Sequence, residues 1–195
     1  DIGVATVTYA SPSSSGSYNY SATFPGDALY DVSSDTKTVN VLRRTTFMDV
    51  PTLIAPTNST FTVYATLTDI TPPAIGISTP IAGVQVKFVF NGGAPVYAAT
   101  NSTGTAEYTF TAPANAGSYS VTATFEGNPT YDVSNKTTPL TIRKRITVLS
   151  GTDVLVPAGT PFTAQALLVD EFGTKLNNYN VSFVFNTTPA VNSSH

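Results

Sequence analysis

The chain has 195 residues with nine Lys and Arg against twelve Asp and Glu, a net charge of -3, and only 11% charged residues, against roughly 25% in an average soluble domain. With no basic stripe to neutralise phosphates, nucleic acid is a poor partner, and the lack of Cys together with a single His, His195, all but excludes a zinc enzyme or Cys–His catalysis. Hydrophobic residues stand at 41% and Ser plus Thr number 51, so the chain folds, with hydroxyls in place of charge on its surface.

Fourteen Pro and 13 Gly interrupt the chain at short intervals, and no window keeps an apolar 3.6 period for three turns, so no helix is predicted. No run approaches the length of apolar chain that a membrane-spanning helix needs. The start at Asp1, without a signal-peptide pattern, reads as a processed or excised chain.

In chain order, three strands are predicted in residues 1–44, seven in 45–144 and three in 145–195. The seven fall near 45–51, 60–69, 83–90, 96–101, 104–112, 117–126 and 136–144. Phe61, Val63, Ala65 and Leu67 share one face, with Thr62, Tyr64, Thr66 and Thr68 on the other. Val84, Val86, Phe88 and Phe90 alternate in the same way, as do Ala106, Tyr108 and Phe110, then Tyr119, Val121, Ala123 and Phe125. Such strands are antiparallel and half-buried, and they need a second sheet over the apolar face. The fold class is therefore all-β, a seven-stranded sandwich in tandem with incomplete flanking repeats.

The tandem organisation comes from an internal repeat. Gly3–Arg44 aligns without a gap on Gly104–Arg145, an offset of 101, with 17 of 42 positions identical. Gly16, Tyr18, Ala22, Phe24, Gly26, Tyr30, Asp31 and Val32 recur as Gly117, Tyr119, Ala123, Phe125, Gly127, Tyr131, Asp132 and Val133. Pro56, Phe61 and Asp69 then fall on Pro157, Phe162 and Asp170; after a loop six residues shorter, Val86, Phe88 and Phe90 match Val181, Phe183 and Phe185. A repeat this long is a whole domain. Residues 1–44 are the carboxy-terminal half of one, 45–144 a complete one, and 145–195 the amino-terminal half of another. Arg43-Arg44-Thr45 and Arg143-Lys144-Arg145 are the only connectors, which predicts a semi-rigid rod. Each half exposes an apolar face and open strand edges. Either the chain is a window on a longer array, or strands of a neighbouring chain complete the halves, or the two halves pair within one chain.

GVATVTYASPSSSGSYNYSATFPGDALYDVS, TGTAEYTFTAPANAGSYSVTATFEGNPTYDVS and FTAQALLVDEFGTKLNNYNVSFVF resemble the bacterial and archaeal Ig-like repeats of invasin- and adhesin-like proteins and S-layer proteins. The resemblance implies a seven-stranded Ig-like sandwich used extracellularly, at the cell surface or envelope, as a stalk, filament or lattice unit. An adhesin or glycan-binding module is the alternative. The partners implied are copies of the chain or adjacent Ig-like domains, with no cofactor and no turnover. The 69–83 loop departs from the short Asp-x-x-Gly form of the family; its Pro-rich, apolar sequence suggests a contact surface.

Seven Asn-x-Ser/Thr sequons occur, at Asn19, Asn58, Asn101, Asn135, Asn180, Asn186 and Asn192. A chain rich in Asn, Ser and Thr throws up several by chance. Against that, Asn19 lies on the outward parity of its strand, and glycans would solubilise a surface so poor in charge. Glycosylation is the preferred reading, and with it an archaeal source. Asp31, Asp132, Asp69 and Asp170 recur in the repeat and are predicted to accept backbone N–H bonds in turns. Asp27, Asp31 and Asp35 are too few for calcium, since Asn128, Asp132 and Lys136 replace them in the next repeat. Lys87 and Glu107 fall on outward parity, which argues against a buried isopeptide crosslink. Tyr18, Tyr20, Tyr119 and Phe125 lie on inward parity, while Tyr64 faces outward. No nucleophile has a base beside it, so no catalytic residue is assigned.

Overall fold

A computed structural model describes residues 3–72 and 79–185. The described residues are all-β, and the chain divides into two compact units, Asp1–Arg143 and Lys144–His195. The first unit opens with a hairpin of β1 (Gly16–Phe24) and β2 (Ser33–Val41), paired from Gly16↔Val41 to Phe24↔Ser33.

The central sandwich follows. One sheet contains β3 (Thr46–Asp49), β5 (Thr60–Asp69), β6 (Thr79–Pro80) and β9 (Thr105–Thr111), with β5 pairing the other three. The facing sheet runs in the order β4 (Leu53–Pro56), β11 (Ser134–Arg143), β10 (Gly117–Phe125), β7 (Gln85–Phe90) and β8 (Val96–Ala99). All pairings are antiparallel except β4 with β11. The two-residue alternation puts Phe61, Val63, Ala65 and Leu67 of β5 in the core, opposite Val86 and Phe88 of β7, Val121, Ala123 and Phe125 of β10, and Leu140 and Ile142 of β11. At one end Phe61, Phe90 and Phe110 close a triangle of rings with centroids 5.7 Å apart, and Tyr108 and Tyr119 extend it. Edge and tilted ring contacts of this kind add to the burial of area.

The predicted strand at 45–51 forms as β3, and β4 at Leu53–Pro56 is a further strand that was not predicted. The chain leaves the first sheet after β3 and joins the second as β4, crossing at Pro51. Proline has no N–H to offer a ladder, and its carbonyl instead accepts a hydrogen bond from Thr138 Oγ1 at 3.1 Å. Sandwich strands commonly change sheet in this way at a bend.

In the flanking repeats fewer strands form than the repeat alignment predicts. Residues 3–11, the counterparts of β9, form no strand; β9 pairs with β5, and the described residues before β1 include no counterpart of β5. Among the described residues, the second unit contains one antiparallel strand pair, β12 (Thr147–Gly151) with β13 (Ala166–Asp170). Its register, Thr147↔Asp170, is that of Thr46↔Asp69 shifted by 101. Residues 181–185, the counterparts of β7, are not a strand, since the neighbours of β7, β8 and β10, have no described counterpart there. Likewise 154–157 do not form the counterpart of β4, whose neighbour is β11.

Two glycines carry the backbone where no side chain fits. Gly104 has φ +74°, and a Cβ there would stand 2.6 Å from the Leu67 carbonyl oxygen. Gly127 has φ +79° and would meet the Tyr131 oxygen and Val133 nitrogen at 3.1 Å. Only glycine adopts that conformation without strain.

Candidate functional site

In a chain so poor in charge, the charges that recur at the repeat offset mark the place to look. Arg44 and Asp69 recur as Arg145 and Asp170, and the fold brings each pair together. Arg44 stands at the connector entering the central sandwich, and Asp69 ends β5 beside it because β3 and β5 are paired at Thr46↔Asp69. The Arg44 Nε donates to Asp69 Oδ2, and the Thr71 N–H donates to Oδ1 at 2.9 Å. Asp69 is 4% exposed. In the second unit Arg145 Nη1 donates to Asp170 Oδ2 at 2.7 Å, and the Phe172 and Thr174 N–H groups donate to Oδ1 at 3.0 and 2.9 Å. Asp170 is 2% exposed.

Burial alone would raise both carboxyls. The Thr71 hydrogen bonds and Arg44 outweigh it at Asp69, and the Thr174 N–H, Arg145 and the Phe172 N–H do so at Asp170, so both stay below the ordinary carboxylate value. Each node also ties the first strand of its repeat to the exit of the second. Ile70 N donates to Thr45 O at 2.9 Å, and Glu171 N donates to Ile146 O at 2.9 Å. The reciprocal N–H is capped by the Thr71 hydroxyl at 2.7 Å in one repeat and by Glu171 Oε1 at 3.1 Å in the other. Arg145 lies over the Phe172 ring at 5.1 Å, in cation–π range.

The central node reaches further. Arg44 N donates to Thr130 O at 2.8 Å and Asp132 N donates to Arg44 O at 2.9 Å, which clamps the connector against the 127–132 loop. That loop also holds the segment before the first hairpin. Ser15 N donates to Pro129 O at 2.8 Å, and Thr130 Oγ1 donates to Ser13 O at 2.8 Å. The carboxylates are committed to guanidinium and backbone partners, so the arrangement positions chains at a repeat junction. Sequence reasoning assigned Asp69 and Asp170 to turns but left Arg44 and Arg145 unassigned. The signal was present: both arginines are identical residues at the repeat offset.

Asp31 and Asp132 do not make the predicted turn bonds. The acceptors are Asp27 Oδ1, for the N–H groups of Leu29 and Tyr30, and Asn128 Oδ1, for those of Thr130 and Tyr131, because these residues open the tight turn. Among the described residues no three His, Cys, Asp or Glu gather in a way that could hold a metal ion.

Asn19, Asn58, Asn101, Asn135 and Asn180 are all exposed. They are not brought together. Asn19 lies in β1 and accepts from Thr38 Oγ1 at 2.9 Å. Asn58 has φ +53° in the turn before β5, and Asn135 lies in β11. The Asn101 side-chain oxygen accepts from the N–H and hydroxyl of Thr103 and the N–H of Thr105, at 2.9, 2.7 and 3.1 Å. Asn186 and Asn192 lie outside the described residues, as does 73–78 of the long loop. Tyr64 and Glu107 face outward opposite one another, and Lys87 pairs with Glu126 across a concavity of about 290 Å³ whose wall includes Tyr97.

The family model for invasin, domain 3, matches residues 43–142. No curated protein matches the sequence. Among solved structures, the crystal structure of a tetra-tandem repeat in the extending region of a large adhesion protein aligns with 80% of this chain at 14% identity and a TM-score of 0.39; the chain spans 39% of that one.

Proposed function

The chain belongs to the invasin domain 3 family of Ig-like domains, and from that premise we propose that it is a structural segment of an extracellular surface or adhesion protein, a spacer built from tandem sandwiches. Its work is to hold successive domains in register, without turnover. The observation that carries the reading is the recurrence, at one offset, of hairpin register and of a buried Asp paired with a partly exposed Arg beside each connector. A spacer needs such junctions, since a repeat array transmits geometry only through contacts between neighbours. Glycans on Asn19, Asn58, Asn101, Asn135 and Asn180 belong to the same proposal, as they would supply the surface polarity that charge does not. An antibody raised against residues 45–143 should label intact cells of the source organism, and protease treatment of those cells should remove the signal. Labelling only after lysis would sink the reading.

A second reading, a glycan-binding module, is favoured by the exposed Tyr97 beside Lys87 and Glu126. Aromatic faces beside polar groups suit sugars. It predicts saturable binding of an oligosaccharide to the isolated monomer, lost in Tyr97→Ala.

A further inference from the structure

The first and last segments of the central repeat lie side by side and parallel. Arg44 bridges Tyr131, the Pro51 carbonyl accepts from Thr138, and Leu53 to Pro56 pair with Leu140 to Arg143. Each of these matches spans the same 87 residues of chain. Between them the Thr46 hydroxyl donates to Asp132 O at 3.0 Å, and at the far end Thr57 N donates to Arg143 O at 2.9 Å. The excursion of β3 onto β5 leaves the alignment unbroken, since the chain returns to it at Pro51. Met48, Val50 and Ala55 on the entering segment and Leu140 and Ile142 on the leaving one are buried. The two segments therefore cannot separate without exposing apolar side chains to water.

This layout fixes how a pull is felt. The chain enters at Arg44, beside the start of the leaving segment, and leaves at Arg143, beside the end of the entering one. Tension along the chain drags the entering segment backwards and the leaving segment forwards, parallel to both. Ladder hydrogen bonds run across the strands, so they are strained together and none opens ahead of the rest. The β1–β2 hairpin is the contrast: its ends, Gly16 and Val41, are paired with each other, and pulling them apart opens the ladder bond by bond. We propose that the central sandwich is a mechanical clamp, which carries tension between Arg44 and Arg143 by shear of its first segment against its last. The property belongs to the fold of 44–143; its use, bearing load along a surface spacer, rests on the proposed function.

The absence of Cys lets handles be placed at chosen residues of the 195-residue chain. The double variant Leu42→Cys/Ile146→Cys, at two exposed positions, carries DNA handles that pull through Arg44 and Arg143. The double variant Asn58→Cys/Ile146→Cys pulls instead from two points at the same end of the β4–β11 ladder, so that its bonds meet the load one after another. In an optical trap at one loading rate, the first should hold to a force at least about twofold higher, because the ladder shares the load in one geometry and meets it singly in the other. The lengthening at rupture, about 3.5 Å for each residue freed between the handles, identifies the event as unfolding of the central sandwich. Both variants pull on the same fold, so the difference reports the direction of loading, which acts on the unfolding barrier. Equal forces in the two geometries, or a higher force in the second, would overturn the proposal. Neither outcome touches the surface-spacer reading, which is tested on cells.

Discussion

The central repeat and its two flanking repeats carry closely related sequences in different company. Phe125 is 3% exposed and Phe24, its counterpart, 43%; Phe88 is fully buried and Phe183 is 57% exposed. Yet the hairpin register of β1 and β2 is that of β10 and β11, residue for residue. The difference separates two kinds of pairing. A strand whose partner is the next strand in sequence pairs wherever that partner exists, since little loop-closure entropy opposes it. A strand whose partner is remote, as β9 is from β5, forms only when the remote segment is present. Two-stranded ribbons without a packed face are marginal, so the flanking hairpins hold far less of the stability than the central sandwich.

The largest way to break the comparison is in the core. Phe88→Ala should cost about 3–5 kcal/mol, whereas Phe183→Ala, at the equivalent exposed position, should stay within about 0.5 kcal/mol. Urea unfolding of both variants reads the contrast, and equal losses would mean the third repeat is already packed. Next comes Gly104→Ala, which forces a Cβ into the Leu67 carbonyl at φ +74° and should cost about 1–3 kcal/mol. Gly3→Ala, at φ +71° with nothing within 4 Å, should cost much less.

The nodes sharpen the comparison through pH. Asp69 and Asp170 have carboxyls held below their unfolded values, so their contribution is fully present above the ordinary carboxylate range and is lost as pH falls below about 4. Asp69→Asn should remove part of that acid sensitivity from the unfolding midpoint and cost about 1–3 kcal/mol at neutral pH, because an NH2 donor replaces the oxygen that accepts from Arg44 while the other oxygen can still accept from Thr71. A variant with an unchanged pH profile would show the node to be dispensable. The smallest effect is at the sequons: Asn19→Gln should leave stability within about 0.5 kcal/mol while lowering the intact mass of the native protein by one glycan, and a mass shift of the substitution alone would remove Asn19 from the glycan set.

Much of the fold was legible because strand alternation has a period of two and hydrophobicity reports it locally. The faces of β5, β7 and β10 follow directly from Phe61 to Leu67, Val86 to Phe88 and Val121 to Phe125. The crossing at Pro51 was not legible as a change of sheet, because the predicted strand stops at 51 and β4 was not foreseen, its parallel partner lying some 87 residues away in β11. The node was half legible. A buried carboxylate at a turn follows from Asp chemistry, but its arginine partner lies 25 residues upstream and meets it only through the β3–β5 pairing.

By itself the sequence determined an all-β chain, the 101-residue repeat, the inward and outward faces of its strands, and the resemblance to Ig-like surface repeats, since each depends on composition or on spacing along the chain. Only the tertiary structure decided which of those strands form, where the first one changes sheet, and that Arg44 and Arg145 are buried-carboxylate partners at the connectors. The reason is physical: alternation says that a face must be covered, while a backbone ladder or a buried ion pair exists only when a second, distant segment arrives to complete it.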